Sequence, residues 1–125
     1  MTQNLFLVFL GGGAGSALRY LAQTLIGVRP DASSFPWATF TVNVAGCFLI
    51  GLFYALSARM HLAEGTRLLL TAGLCGGFTT FSAFGNETVV LLRSGCTAMA
   101  LAYAALSVAA GVGAVFAGAA IVRQA

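Results

Sequence analysis

The sequence predicts an all-α membrane protein of four transmembrane helices, the third of them broken at Gly76–Thr80. Three observations carry this. Hydrophobic residues make up 59% of the 125 residues and charged residues 7%, at a mean hydropathy of +0.94. A water-soluble domain carries roughly 25% charged residues, so this chain lacks the polar surface to face water. Second, its apolar residues gather into four long segments joined by three short polar connections. Each is long enough to cross a hydrocarbon core of about 30 Å at ~1.5 Å per helical residue. Third, the middle of the third segment is a poor helix. Gly76-Gly77 carries the largest backbone entropy loss, and Thr79-Thr80 adds two β-branched residues.

The first span runs over about 4–26, and residues 1–125 read as one domain. Gly11/Gly15 and Gly12/Ser16 are small-xxx-small pairs that let a neighbouring helix backbone approach closely. Arg19 lies one turn beyond Gly15, inside the apolar stretch. An intramembrane arginine marks a functional site by default, or else snorkels to the interface. Val28–Pro36 connects to the second span, about 37–58, where Trp37 stands as an interfacial anchor. Thr39, Asn43 and Gly46 share one face of it. Asn43 presents two N–H donors and one carbonyl acceptor in mid-membrane, as glue between helices or as part of a pore.

Arg59–Arg67 leads to the third span, about 68–92. Lipid offers no water to freed backbone groups, so a break there must be buried in protein or line a wet cavity. The alternative is a glycine-kinked, tightly packed helix. After the break, Phe81, Phe84 and Thr88 align, and Glu87 is the sole acid in any hydrophobic segment. Arg93–Gly95 connects to the fourth span, about 97–122, whose Tyr103, Ser107 and Gly111 form an i, i+4, i+8 stripe. Ser107 can simply bond back to the carbonyl of Tyr103.

Six Arg and no Lys stand against Asp31, Glu64 and Glu87, a net charge of +3. That is too small and too dispersed for a nucleic-acid footprint. Cys47, Cys75 and Cys96 are odd in number and match no metal spacing, which reads as inert packing. No secretory signal pattern and no Walker-type phosphate loop is present. The expectation is a membrane transport protein rather than an enzyme.

Two stretches are more specific: Asn43-Val44-Ala45-Gly46, and Gly76-Gly77-Phe78-Thr79-Thr80-Phe81-Ser82-Ala83-Phe84. With Gly12-Gly13-Ala14-Gly15-Ser16-Ala17-Leu18-Arg19-Tyr20 before them and Tyr103 and Ser107 after, the chain resembles the Fluc family of small fluoride channels, also called camphor-resistance proteins. The resemblance implies an antiparallel, dual-topology homodimer in the bacterial inner (plasma) membrane, passively exporting cytoplasmic fluoride through two pathways. It implies a structural Na⁺ at the dimer centre, held by the backbone carbonyls of Gly76 and Thr79. It places Asn43, Phe81, Phe84, Tyr103 and Ser107 along the pore, Thr39, Ser82, Thr88 and Glu87 on a polar track opposite, and Arg19 at the vestibule. Donor hydroxyls and amides, with the positive edges of the Phe rings, suit a small hydrated anion. Two other readings compete: a small dual-topology, proton-coupled multidrug antiporter with Glu87 as its acid, and an inert assembly subunit. The antiporter gives no reason for Gly76 to Phe84, and the subunit gives none for Asn43 with Ser107.

Overall fold

Apolar length becomes helix throughout, because a chain in lipid must satisfy every backbone group internally. The computed structural model describes residues 1–27 and 29–124; Val28, which opens the first connection, and Ala125 lie outside the described residues. Among the described residues, four continuous or interrupted helices are long and apolar enough to span a membrane: Thr2–Ile26, Trp37–Met60, Glu64–Arg93 and Thr97–Gln124. Each outruns the stretch expected from hydropathy by up to four residues, because helical hydrogen bonding carries on past the last apolar side chain.

The first span is α1 (Thr2–Ile26) and the second α2 (Trp37–Met60). α1 stops at Gly27, whose φ of 106° a side chain would strain. α2 stops at His61, a left-handed cap with φ 52°. In the connection between them, Asp31 accepts hydrogen bonds from the Ser33 and Ser34 hydroxyls and the Ser33 N–H. The Ser33 side-chain bond leads in holding its carboxyl below the usual range.

The third span is composite. α3 (Glu64–Leu68) runs into a π-helical segment, Leu69–Cys75, and then one turn of α-helix, α4 (Gly76–Phe78). Thr79 and Thr80 are extended, and α5 (Phe81–Arg93) completes the crossing. α6 (Thr97–Gln124) is the fourth span. Two corrections to the sequence reading follow. The break is confined to Thr79–Thr80, because Gly76 is helical (φ −61°, ψ −39°) and needs no glycine-only geometry. The π-helical segment before it has no counterpart in the sequence pattern.

Small residues set the packing. α1 runs parallel to the first half of the third span, and α2 runs parallel to α6. A Cβ at Gly15 would fall on the Leu74 carbonyl oxygen, one at Gly77 on that of Gly12, and one at Gly51 on that of Val115. Backbone touches backbone at all three points, the contact that small residues make possible in membranes. At the other end, Leu91, Ala100 and Tyr103 form a buried cluster where α5 meets α6, flanked by Phe35, Phe40, Phe84 and Met99. Within one chain only 11–22% of an 18-residue apolar stretch in each span is buried, so most of that stretch faces lipid or another protein.

Candidate functional site: a groove across the broken third span

The break is over-determined by its neighbours. In a continuous helix the Thr80 N–H would close onto the Gly76 carbonyl; here it donates to Asn43 Oδ1 at 2.8 Å. Asn43 Nδ2 donates back to the Thr80 carbonyl at 3.0 Å. One side-chain amide thus replaces both partners of an extended residue. Thr80 also caps α5, its hydroxyl accepting from the Ala83 N–H at 3.2 Å. Thr79 is pinned by its hydroxyl on the Cys75 carbonyl at 2.9 Å, with its methyl seated on Gly46, where a Cβ would collide with it. The Gly77 carbonyl, released from the helix by the break, accepts from Arg19 Nε at 3.1 Å and Ser16 Oγ at 3.5 Å.

These contacts leave an open groove of about 310 Å³ across the break. Asn43, Gly76, Thr79, Phe81, Phe84 and Ser107 line it. Phe81 is 83% exposed, its ring centroid 5.7 Å from that of Phe84. Ser107 Oγ is buried and, among the described residues, is the one buried side-chain polar atom with no hydrogen-bond partner. The back-bond to Tyr103 that its sequence position allows is not made. Leaving a buried hydroxyl without a partner is costly.

A second cluster lies beside this one. Glu87 accepts from Thr39 Oγ1 at Oε2 and from Tyr103 OH at Oε1, both at 2.9 Å. Thr39 and Tyr103 are 1% and 0% exposed, so this tether joins α2, α5 and α6 inside the protein. The Phe84 ring packs on Tyr103 at 4.9 Å and links the two clusters.

The structure therefore divides the residues that the sequence singled out. Asn43, Phe81, Phe84, Ser107, Gly76 and Thr79 share the groove. Thr39, Glu87 and Tyr103 form the tether instead. Thr88 turns its hydroxyl onto its own helix at the Phe84 carbonyl, 2.8 Å away, and exposed Ser82 meets Thr80 Oγ1 at 3.3 Å. Arg19 is half-buried against the break and is not among the groove-lining residues.

Sequence reasoning missed the parts that four residues play. Cys47 and Cys75 line the groove although they read as packing residues. Ser16 supports Gly77, and Thr80 is an N-cap. Only Thr80 had a usable signal, a threonine directly before an apolar helical run.

The donor set around the break bears on a metal. Among the described residues there is no group of three or more His, Cys, Asp or Glu that could hold one. The Gly76 and Thr79 carbonyls are deprived of their helical donors, since the Thr80 N–H turns to Asn43 and the Ala83 N–H to Thr80 Oγ1. Neutral, hard oxygens of this kind fit an alkali cation better than a transition metal.

Residues 6–119 match the family described as CrcB-like protein, Camphor Resistance (CrcB). A protein of Phocaeicola vulgatus named fluoride-specific ion channel FluC is 57% identical over 93 residues, 74% of this chain and 76% of its own. One of the same name from Bacteroides fragilis is 44% identical over 118 residues, 93% of each chain. Another, from Leptospira interrogans, is 46% identical over 118 residues, 94% of this chain and 92% of its own.

Proposed function

Because the chain belongs to the CrcB-like, camphor-resistance family, we propose that this multi-pass membrane protein is a fluoride-selective channel. In this reading it works as an antiparallel, dual-topology dimer in the bacterial inner membrane. It lets cytoplasmic fluoride run out passively down its electrochemical gradient. The observation that carries the reading is the unpartnered Ser107 hydroxyl on the wall shared with Asn43, Phe81 and Phe84.

Fluoride is small and tightly hydrated, so its path must replace water with donors without holding the ion. Ser107 Oγ–H is one donor. Asn43 gives one N–H to Thr80 and keeps a second for the groove. The edges of Phe81 and Phe84 are weakly positive and offer contact without a strong well. Sites of this strength allow entry and exit, which conduction requires. The tether of Thr39, Glu87 and Tyr103 holds the Phe84 ring from behind.

Carbonyl oxygens alone would repel an anion. The carbonyls of Gly76 and Thr79, met by those of a second copy, would hold a structural Na⁺. When bound, that ion supplies positive potential beside the anion path.

The test is fluoride efflux from liposomes carrying the purified protein, read with a fluoride electrode after a potassium ionophore collapses the counter-potential. Fluoride release without matching chloride release is the expected result. Absence of fluoride release, or equal chloride release, overturns the assignment.

A further inference from the structure

Aromatic rings make a continuous line of contacts from the first connection to the groove. Trp37, exposed at the start of α2, meets Phe35 with ring centroids 4.5 Å apart. Phe35 meets Tyr103 edge-on at 5.3 Å. Tyr103 meets Phe84 at 4.9 Å, and Phe84 meets Phe81 at 5.7 Å. Phe35 is not itself among the groove-lining residues. We propose that Phe35 is a positioning residue of the anion path, which fixes the Tyr103 ring and through it the Phe84 ring. The inference rests on the fluoride-channel reading and names what sets the geometry of that site from outside it.

The backbone on both sides of Phe35 is held. Before it, Arg29 donates to the Ser34 carbonyl from Nε at 3.1 Å and from Nη2 at 2.8 Å, and to the Ala32 carbonyl from Nη2 at 2.8 Å. A planar guanidinium holds two carbonyls in one fixed geometry, whereas an ammonium is a single point of charge. After it, Pro36 is fully buried, and a proline drives the residue before it into extended backbone. The Trp37 N–H donates to the Phe35 carbonyl at 2.9 Å. Phe35 therefore brings its ring to Tyr103 from one direction. Tyr103 needs that support. Its helix fixes one end of the side chain, and the bond from its hydroxyl to Glu87 Oε1 fixes the other. Both restraints lie on the long axis of the ring and leave it free to turn about that axis. The Phe35 and Phe84 rings oppose the turn. Ring contacts depend on orientation, so a turned Tyr103 would move the seat of Phe84, whose edge faces the anion in the proposed path.

The test pairs fluoride efflux from liposomes with the emission of Trp37, which reports the surroundings of Phe35 cleanly because the chain has one tryptophan. Phe35→Leu keeps apolar bulk and loses the ring. It should fold and pass fluoride about tenfold more slowly than the parent, with weaker preference over chloride. Phe35→Tyr, which keeps the ring, should restore the parent rate. A residue that merely packed would lower the melting temperature and leave the rate and selectivity of the folded protein unchanged. Arg29→Lys leaves every ring in place and should shift Trp37 emission and slow efflux together; it decides the matter if Phe35→Leu does not fold. Parent-like efflux in folded Phe35→Leu, or in Arg29→Lys with shifted emission, overturns the proposal. Unshifted emission in Arg29→Lys also overturns it, since the first connection would then not set Phe35. A parent protein that releases no fluoride removes the channel reading and this inference with it, whereas failure of this inference alone shows as normal parent efflux with unaltered variants.

Discussion

Side chains at the groove divide by whether anything in their own chain holds them. Ser107 Oγ is buried without a partner, so its hydroxyl carries a desolvation penalty of about 1–3 kcal/mol that no intramolecular bond offsets. Ser107→Ala should therefore unfold at the same temperature as the parent or higher, while fluoride efflux falls. Loss of both together would make the hydroxyl structural. Asn43 is the opposite case, since its amide replaces both partners of Thr80. Asn43→Asp turns an N–H donor into an oxygen facing the Thr80 carbonyl, so it should lower stability by about 1–3 kcal/mol as well as stop efflux. Unchanged melting would count against the clip. Phe81 and Phe84 differ in the same way. Phe81 is 83% exposed, so Phe81→Ile should fold normally and lose efflux, whereas Phe84→Ile also loses its packing on Tyr103. Normal efflux through well-folded Phe81→Ile would remove the ring edge from the mechanism.

At the level of the broken span, the two adjacent glycines have different tasks. A Cβ at Gly77 would strike the Gly12 carbonyl oxygen, whereas one at Gly76 meets nothing nearer than the Thr71 carbonyl oxygen at 3.8 Å. Gly77→Ala should push α4 off α1 and lower the melting temperature, and Gly76→Ala should leave the isolated fold intact. If the proposed cation sits on the Gly76 carbonyl, Gly76→Val should change how efflux responds to Na⁺ removal. Efflux that survives both Gly76→Val and complete Na⁺ removal would count against a structural cation. These differences were only partly legible in the sequence. The four spans were, because hydropathy and length alone force a helix in lipid. Weak helix formers located the break to within three residues but not its edge. Propensity does not say which of Gly76 and Gly77 presses on α1. The polar assignments were legible as faces and not as bonds. Tyr103 and Ser107 lie one turn apart, yet one reaches Glu87 on α5 and the other reaches nothing. Partners on other helices are invisible to spacing within one.

Across the whole molecule, the arginines are nearly balanced between the two membrane faces. Arg59 bonds to the end of α6, which puts the second connection and the chain's last helical turn on one side, with Arg67 and Arg123. Arg29 folds onto the carbonyls of Ala32 and Ser34 in the first connection, on the other side, where Arg93 ends α5. Three against two is a small difference under a rule in which Lys and Arg near the span ends set orientation. Arg19 adds little to either side, since it is held at the break by the Gly77 carbonyl. The chain is then expected to insert both ways in comparable amounts, which an antiparallel dimer requires. A reporter cysteine at exposed Ala63, in a background with Cys47, Cys75 and Cys96 replaced, should be labelled from both sides of the membrane. Adding two lysines to the first connection should shift labelling to one side. Efflux should fall with it and return when an oppositely biased copy is co-expressed. Labelling of the balanced chain from one side alone would exclude the inverted pair, and the shared cation site at its centre would have to be abandoned with it.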